Sequence, residues 1–134
     1  MSPLAILTGA SSGIGAAAAE QFIDQGYSVI NISRRDCPVA GVETLQTDLA
    51  DSASLRGTCD TLAARLQAQD STAPVCLVHN ASLMLKDRCD TTEDSALMAA
   101  ISVNVLGINT LNRSLVSALP QGSSILFVGS TLSE

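Results

Sequence analysis

Glycines 9, 13 and 15 fall in a single run, Thr8-Gly9-Ala10-Ser11-Ser12-Gly13-Ile14-Gly15, and no other stretch restricts the possible folds of this chain so strongly. The apolar Leu4-Ala5-Ile6-Leu7 leads into the run, and an alanine-rich helical pattern leaves it. Strand, glycine loop and helix in that order bring a backbone close to an anion. Gly9 can adopt tight-turn angles that other residues resist. Gly13 puts no side chain in the way of a phosphate, and Gly15 lets the helix pack close to the strand. The amides at the helix start, at the positive end of the helix dipole, then face the negative charge. The pattern suits a dinucleotide pyrophosphate, with Gly9, Ser11, Ser12, Gly13, Ile14 and Gly15 as its contacts.

Strand and helix patterns alternate along the rest of the chain. Residues 3–8 read as a strand, and 14–25 as a helix with Ile14, Ala18 and Phe22 on one face and Gly26 as its stop. Residues 27–32 read as a second strand, 33–41 as a polar loop and 42–46 as a third strand. A helix over 52–69 carries the stripe Leu55, Cys59, Leu62 and Leu66. A fourth strand runs over 74–78, a long helix over 92–119 ended by Pro120 and Gly122, and a fifth strand over 123–128. This order predicts an α/β fold: a Rossmann-type doubly wound parallel sheet of five strands with helices on both faces. The 134 residues suffice for one domain over the whole chain. The polar stretch 69–73 is short enough to be an ordinary loop rather than a linker.

Composition narrows the function. Apolar residues make up 46 % of the chain with only Phe22, Tyr27 and Phe127 aromatic, which suits buried parallel strands. A net charge of -6 without a basic cluster argues against nucleic acid as a partner. Cys37, Cys59, Cys76 and Cys89 contain no Cys-x-x-Cys pair, so the expectation is reduced thiols in a cytoplasmic protein, with Cys59 and Cys76 in the core. The chain opens without a signal-peptide pattern. No apolar stretch approaches the ~20 residues that span a bilayer, so no membrane partner is expected.

The chemistry-bearing residues cluster after the strands. Ser33-Arg34-Arg35 follows the second strand, where the adenosine ribose lies in a dinucleotide fold. An acid there would bind a free 2′-hydroxyl. Two guanidinium groups instead match a 2′-phosphate, favouring NADP(H) over NAD(H), although Asp36 offsets part of their charge and the pair could be a solvated loop. Asp48-Leu49 follows the third strand; Asp48 could take a hydrogen bond from the adenine amino group, or Asp48 or Asp51 could cap the next helix. His79-Asn80-Ala81-Ser82 follows the fourth strand, with Asn80 placed to brace a neighbouring strand and the cofactor, and His79 reading as structural. Asn104 falls among Leu97, Ile101, Ile108, Leu111 and Leu115 on one helical stripe, so its amide should be bonded to something specific. Ser130, past the fifth strand, could hydrogen-bond a substrate carbonyl.

In this order the pieces resemble the short-chain dehydrogenase/reductase family over the whole chain. The run Thr8–Gly15 looks like its TGxxxGxG cofactor loop, and Asp48 like its adenine-contacting Asp. Asn80-Ala81-Ser82 looks like its Asn-Asn-Ala-Gly element, with His79 for the first Asn and Ser82 for the Gly. Val103-Asn104-Val105-Leu106-Gly107 is similar to the segment holding the catalytic Asn, and Ser130 aligns with the catalytic Ser. The resemblance implies an NADP-dependent oxidoreductase that moves a hydride between NADPH and a small carbonyl or alcohol. It also implies a dimer or tetramer paired through the long helix. In the family the Ser steadies the substrate oxygen, the Asn holds a water of the proton relay, and a Tyr-x-x-x-Lys pair beyond the Ser donates the proton. Here Tyr27 belongs to the second strand and Lys86 is the sole lysine. The expectation is therefore the N-terminal part of a longer chain; the alternative is a dinucleotide-binding module or sensor without catalytic activity. No Gly-x-x-x-x-Gly-Lys loop and no metal-ligand pattern point to other nucleotide chemistry.

Overall fold

Five short segments become the five strands of one parallel sheet in a computed structural model that describes residues 2–69 and 71–130. They are β1 (Leu4–Thr8), β2 (Ser28–Ser33), β3 (Val42–Gln46), β4 (Val75–His79) and β5 (Ser124–Phe127). Their order across the sheet is β3-β2-β1-β4-β5. The chain thus works outward from β1 to one edge and then crosses to β4, so the order reverses between β1 and β4. In open parallel sheets ligands bind at the carboxyl ends of the strands beside such a switch point. Residues 131–134, at the expected break before a crossover, and Asp70, within the expected 69–73 loop, lie outside the described residues.

The described residues fall into two compact units. The first holds the sheet and helix α1 (Gly13–Asp24). Register places Ala5 beside Val29 and Cys76, and Leu7 beside Asn31 and Val78. Ala5, Leu7, Val29, Cys76 and Val78 bury one sheet face with Ala19, and Ala18, Phe22 and Ile23 of the same helix pack against them. On the opposite face Ile6 lies between Ile30 and Leu77, and all three are buried. Gly26, at φ +82°, ends the helix as expected. The expected helix face is corrected at one position. Ile14 is 68 % exposed, because Gly15 is the residue turned inward, against Gly9, Ala10 and Asn80, and adjacent helical residues point about 100° apart.

The second unit holds helix α2 (Ser52–Ala68) and one long helix in several parts. Asp51 caps α2 by accepting from the Ala53 and Ser54 amides at 2.9 and 3.2 Å. Leu55, Cys59, Leu62 and Leu66 are all buried, as their spacing predicts. The long helix starts as α3 (Asp94–Ile101), widens to a π turn over Ser102–Leu106, continues as α4 (Gly107–Leu115) and closes with a 3-10 turn over Val116–Ala118. The expected single stripe therefore fails. Leu111 and Leu115 are buried, but Leu97 and Ile101 are exposed, and Asn104 is half-buried. A π turn adds a residue to the helix and shifts everything beyond it by about 100°, so a stripe projected on uninterrupted α-helix cannot hold. The 25 residues from Asp94 to Ala118 are also long and apolar enough to cross a membrane by length and composition, which corrects the expectation that no stretch comes close.

Candidate functional site

The glycine loop runs from the carboxyl end of β1 into α1. Gly9 and Gly13 have φ +71° and +56°, in the region that side chains disfavour. A Cβ on Gly15 would stand 2.3 Å from Gly9 O, 2.5 Å from Asn80 Nδ2 and 2.9 Å from Ala10 Cα. No side chain can enter there unless the loop moves. A Cβ on Gly13 would meet nothing within 4 Å, so its surroundings are open. Ser12 precedes the helix in an extended conformation and makes no side-chain cap, and the first turn carries no acid. The start of α1 is thus left to its backbone amides and dipole, the arrangement that favours an anion.

Asn80, just past β4, ties this loop to the sheet. Its Nδ2 donates to Thr8 O at 3.2 Å and Gly9 O at 3.1 Å, and its backbone N–H donates to Thr8 Oγ1 at 3.0 Å. The bracing of the neighbouring strand expected of Asn80 is present. His79 is buried at the end of β4, stacked on Phe127 with ring centroids 5.0 Å apart, and its carbonyl accepts from the Val128 amide at 2.9 Å. Ser130 is exposed, three residues beyond the end of β5 and at the same sheet edge as the glycine loop.

A second group of polar atoms joins the glycine loop to the segment after β2, and the sequence reading missed its centre. Asn31 is 0 % exposed. Its Oδ1 accepts from the Ala10 amide at 2.9 Å. Its Nδ2 donates to Ser33 Oγ at 2.9 Å, Thr44 Oγ1 at 3.1 Å and Arg35 O at 3.2 Å. Ser33 Oγ in turn donates to Arg35 O at 2.5 Å. Arg34 and Arg35 themselves are exposed. The signal was available: an Asn between Ile30 and Ile32 on a central strand needs a full set of partners.

In the second unit, Asp48 is exposed and its Oδ1 accepts from the Ala50 amide at 2.9 Å, while Leu49 beside it is half-buried. The cap of α2 is Asp51, so of the two carboxylates only Asp48 is outside the helix cap. Ala81 is half-buried and Ser82 exposed. Asn104 grips the backbone of Leu83 from both ends: Oδ1 accepts from Leu83 N at 2.8 Å and Nδ2 donates to Leu83 O at 2.9 Å. It sits in the middle of the π turn, closed by Gly107 N–H donating to Ser102 O. A Cβ on Gly107 would lie 3.1 Å from that same oxygen, so a glycine suits the close approach there. Burial pushes the Cys59 thiol above its ordinary range, with a hydrogen bond from Ser114 opposing and the Asp60 charge adding to the rise.

A family model described as short chain dehydrogenase matches residues 3–134. Dehydrogenase/reductase SDR family member 11 of Bos taurus is 31% identical over 123 residues, covering 82% of this chain and 46% of that protein. A short chain dehydrogenase/reductase family oxidoreductase from Brucella ovis, in complex with a partially ordered NAD, matches with TM-score 0.81 and 29% identity over 92% of this chain and 61% of its own. A short chain dehydrogenase from Burkholderia cenocepacia, in complex with NADP, matches with TM-score 0.81 and 27% identity over 96% and 56%. The chain spans about half the length of the curated relatives it matches.

Proposed function

The chain belongs to the short chain dehydrogenase family, and we propose that it supplies the dinucleotide-binding domain of an NADP-dependent oxidoreductase acting on a small carbonyl or alcohol. The observation that carries this reading is the glycine cradle. The space a Gly15 Cβ would take is filled by Gly9 O and Asn80 Nδ2, and the helix start beyond it has no side-chain cap and no acid. Those features fit a pyrophosphate, so a nicotinamide dinucleotide suits the residues present. Gly9, Ser11, Ser12, Gly13, Ile14 and Gly15 would hold the phosphates and the adjoining sugars. Arg34 and Arg35 would meet a 2′-phosphate and Asn80 would steady the loop, while the family resemblance assigns further cofactor contacts to Asp48, Leu49, Ala81 and Ser82. The nicotinamide, when bound, carries the hydride.

The chain's own residues have separate tasks in this reading. The Ser130 hydroxyl donates a hydrogen bond to the substrate oxygen and steadies the charge that gathers there. Leu83 engages one lone pair of Asn104 Oδ1 and one hydrogen of its Nδ2, which fixes the amide and leaves it a further acceptor and donor position with which to hold a relay water. The exposed Leu97, Met98, Ile101 and Val105 support pairing of two copies through the long helix. The reading is of a soluble cytoplasmic enzyme.

Ser130→Ala tests the assignment in the full protein. Turnover of a carbonyl substrate with NADPH should fall by about a hundredfold or more, while the affinity for NADPH stays close to wild type. Equal loss of both would remove Ser130 from the chemistry. NADPH binding without turnover of any carbonyl would favour a binding module or sensor.

A further inference from the structure

We propose that Asn31 is a positioning residue that sets the choice between NADP(H) and NAD(H), by fixing the Arg34–Arg35 segment relative to the glycine loop. The inference rests on the cofactor reading above and extends it to a residue that would touch no part of the ligand. One buried amide spans two pieces of the proposed cradle. Its oxygen holds the Ala10 amide of the glycine loop, and its nitrogen holds the Arg35 carbonyl. Ser33 Oγ doubles the second link, accepting from Asn31 and donating to the same carbonyl. Thr44 Oγ1 on the adjacent strand accepts from Asn31 and from the Cys37 amide, anchoring the far side of the segment. Two N–H hydrogens serve three acceptors, so the amide has no spare donor and its orientation is fixed.

The chemistry explains why this link bears on specificity. A guanidinium recognises a phosphate through a directional fork, so its value depends on where its backbone stands. A segment free to move would still carry two charges but would aim them poorly. The pyrophosphate contacts are common to both dinucleotides, whereas the 2′-phosphate exists only in NADP(H). Loosening the Arg35 carbonyl should therefore weaken NADPH more than NADH.

Asn31→Asp separates the two arms. The carboxylate can still accept from Ala10 but cannot donate to Ser33, Thr44 or Arg35. Ser33→Ala removes the second link alone and serves if the buried carboxylate prevents folding. The readout is the ratio of NADH to NADPH dissociation constants, measured on the full protein by nicotinamide fluorescence. Partial unfolding lowers the binding of both dinucleotides together and leaves this ratio unmoved. The expected result is a fall in the ratio of about tenfold in Asn31→Asp and a smaller fall in Ser33→Ala. The double variant Arg34→Ala/Arg35→Ala, measured alongside, should abolish the preference. A ratio that collapses in the arginine variant but stays at wild type in Asn31→Asp and Ser33→Ala overturns the role of Asn31 and leaves the cofactor reading standing. A ratio unmoved by the arginine variant overturns the 2′-phosphate reading itself, and the inference with it.

Discussion

At Gly15 a single hydrogen decides whether loop and helix can meet. A methyl group would stand 2.3 Å from the Gly9 carbonyl, a contact that only movement of the loop can relieve. Gly15→Ala should cost about 1–3 kcal/mol in denaturant unfolding, with a matching loss of dinucleotide affinity. Unchanged stability and binding would show that the loop yields freely. Asn104 is a different case, since its two hydrogen bonds satisfy one residue's backbone on both sides. Asn104→Ala should lower stability by about 1–3 kcal/mol, and Asn104→Asp should recover part of it by still accepting from Leu83 N. Equal stability of the three proteins would mean that water replaces the amide without loss. Both residues were visible in the sequence, Gly15 by its place in the run and Asn104 by its oddness on an apolar stripe. Asn31 was passed over because it lies in a strand whose other residues explain themselves by burial. Its partners at 10, 33, 35 and 44 become neighbours only through the loop and the β2–β3 register.

At the scale of elements, the boundaries followed from local chemistry wherever a helix or strand was regular. Asp51 and Gly26 mark a helix start and a helix end by capping and by φ. The long helix was legible only in part, because a one-residue widening leaves no periodic trace and displaces every later position on the wheel. Leu97 and Ile101 before the widening and Val105 within it are exposed. If that face pairs two copies, Ile101→Glu should shift the protein toward monomer in analytical ultracentrifugation; an unshifted assembly would place the contact elsewhere. Helix α2 carries a pH-dependent element as well. Burial holds the Cys59 thiol above its ordinary range, so the unfolded chain ionises first as pH rises. Its contribution to stability is complete below the ordinary thiol range and is lost as pH climbs through the raised value. In the folded protein iodoacetamide should label the exposed Cys89 well before Cys59. Comparable rates would contradict the burial.

For the whole molecule, the alternation of strand and helix was enough to give a parallel sheet, and the glycine run was enough to identify which strand is β1. The order β3-β2-β1-β4-β5 then places the glycine loop and Asn80 on either side of the switch point. What a substrate touches was not legible, because no motif in the chain encodes substrate shape. The central claim is that the cradle at the carboxyl edge of β1 and β4 binds a nicotinamide dinucleotide and prefers the 2′-phosphorylated form. Titrating the full protein with NADPH and with NADH, following nicotinamide fluorescence, tests this most directly. The account predicts saturable binding of both with NADPH tighter, and loss of both in Gly15→Ala. No saturable binding of either dinucleotide, or NADH bound as tightly as NADPH, would contradict it.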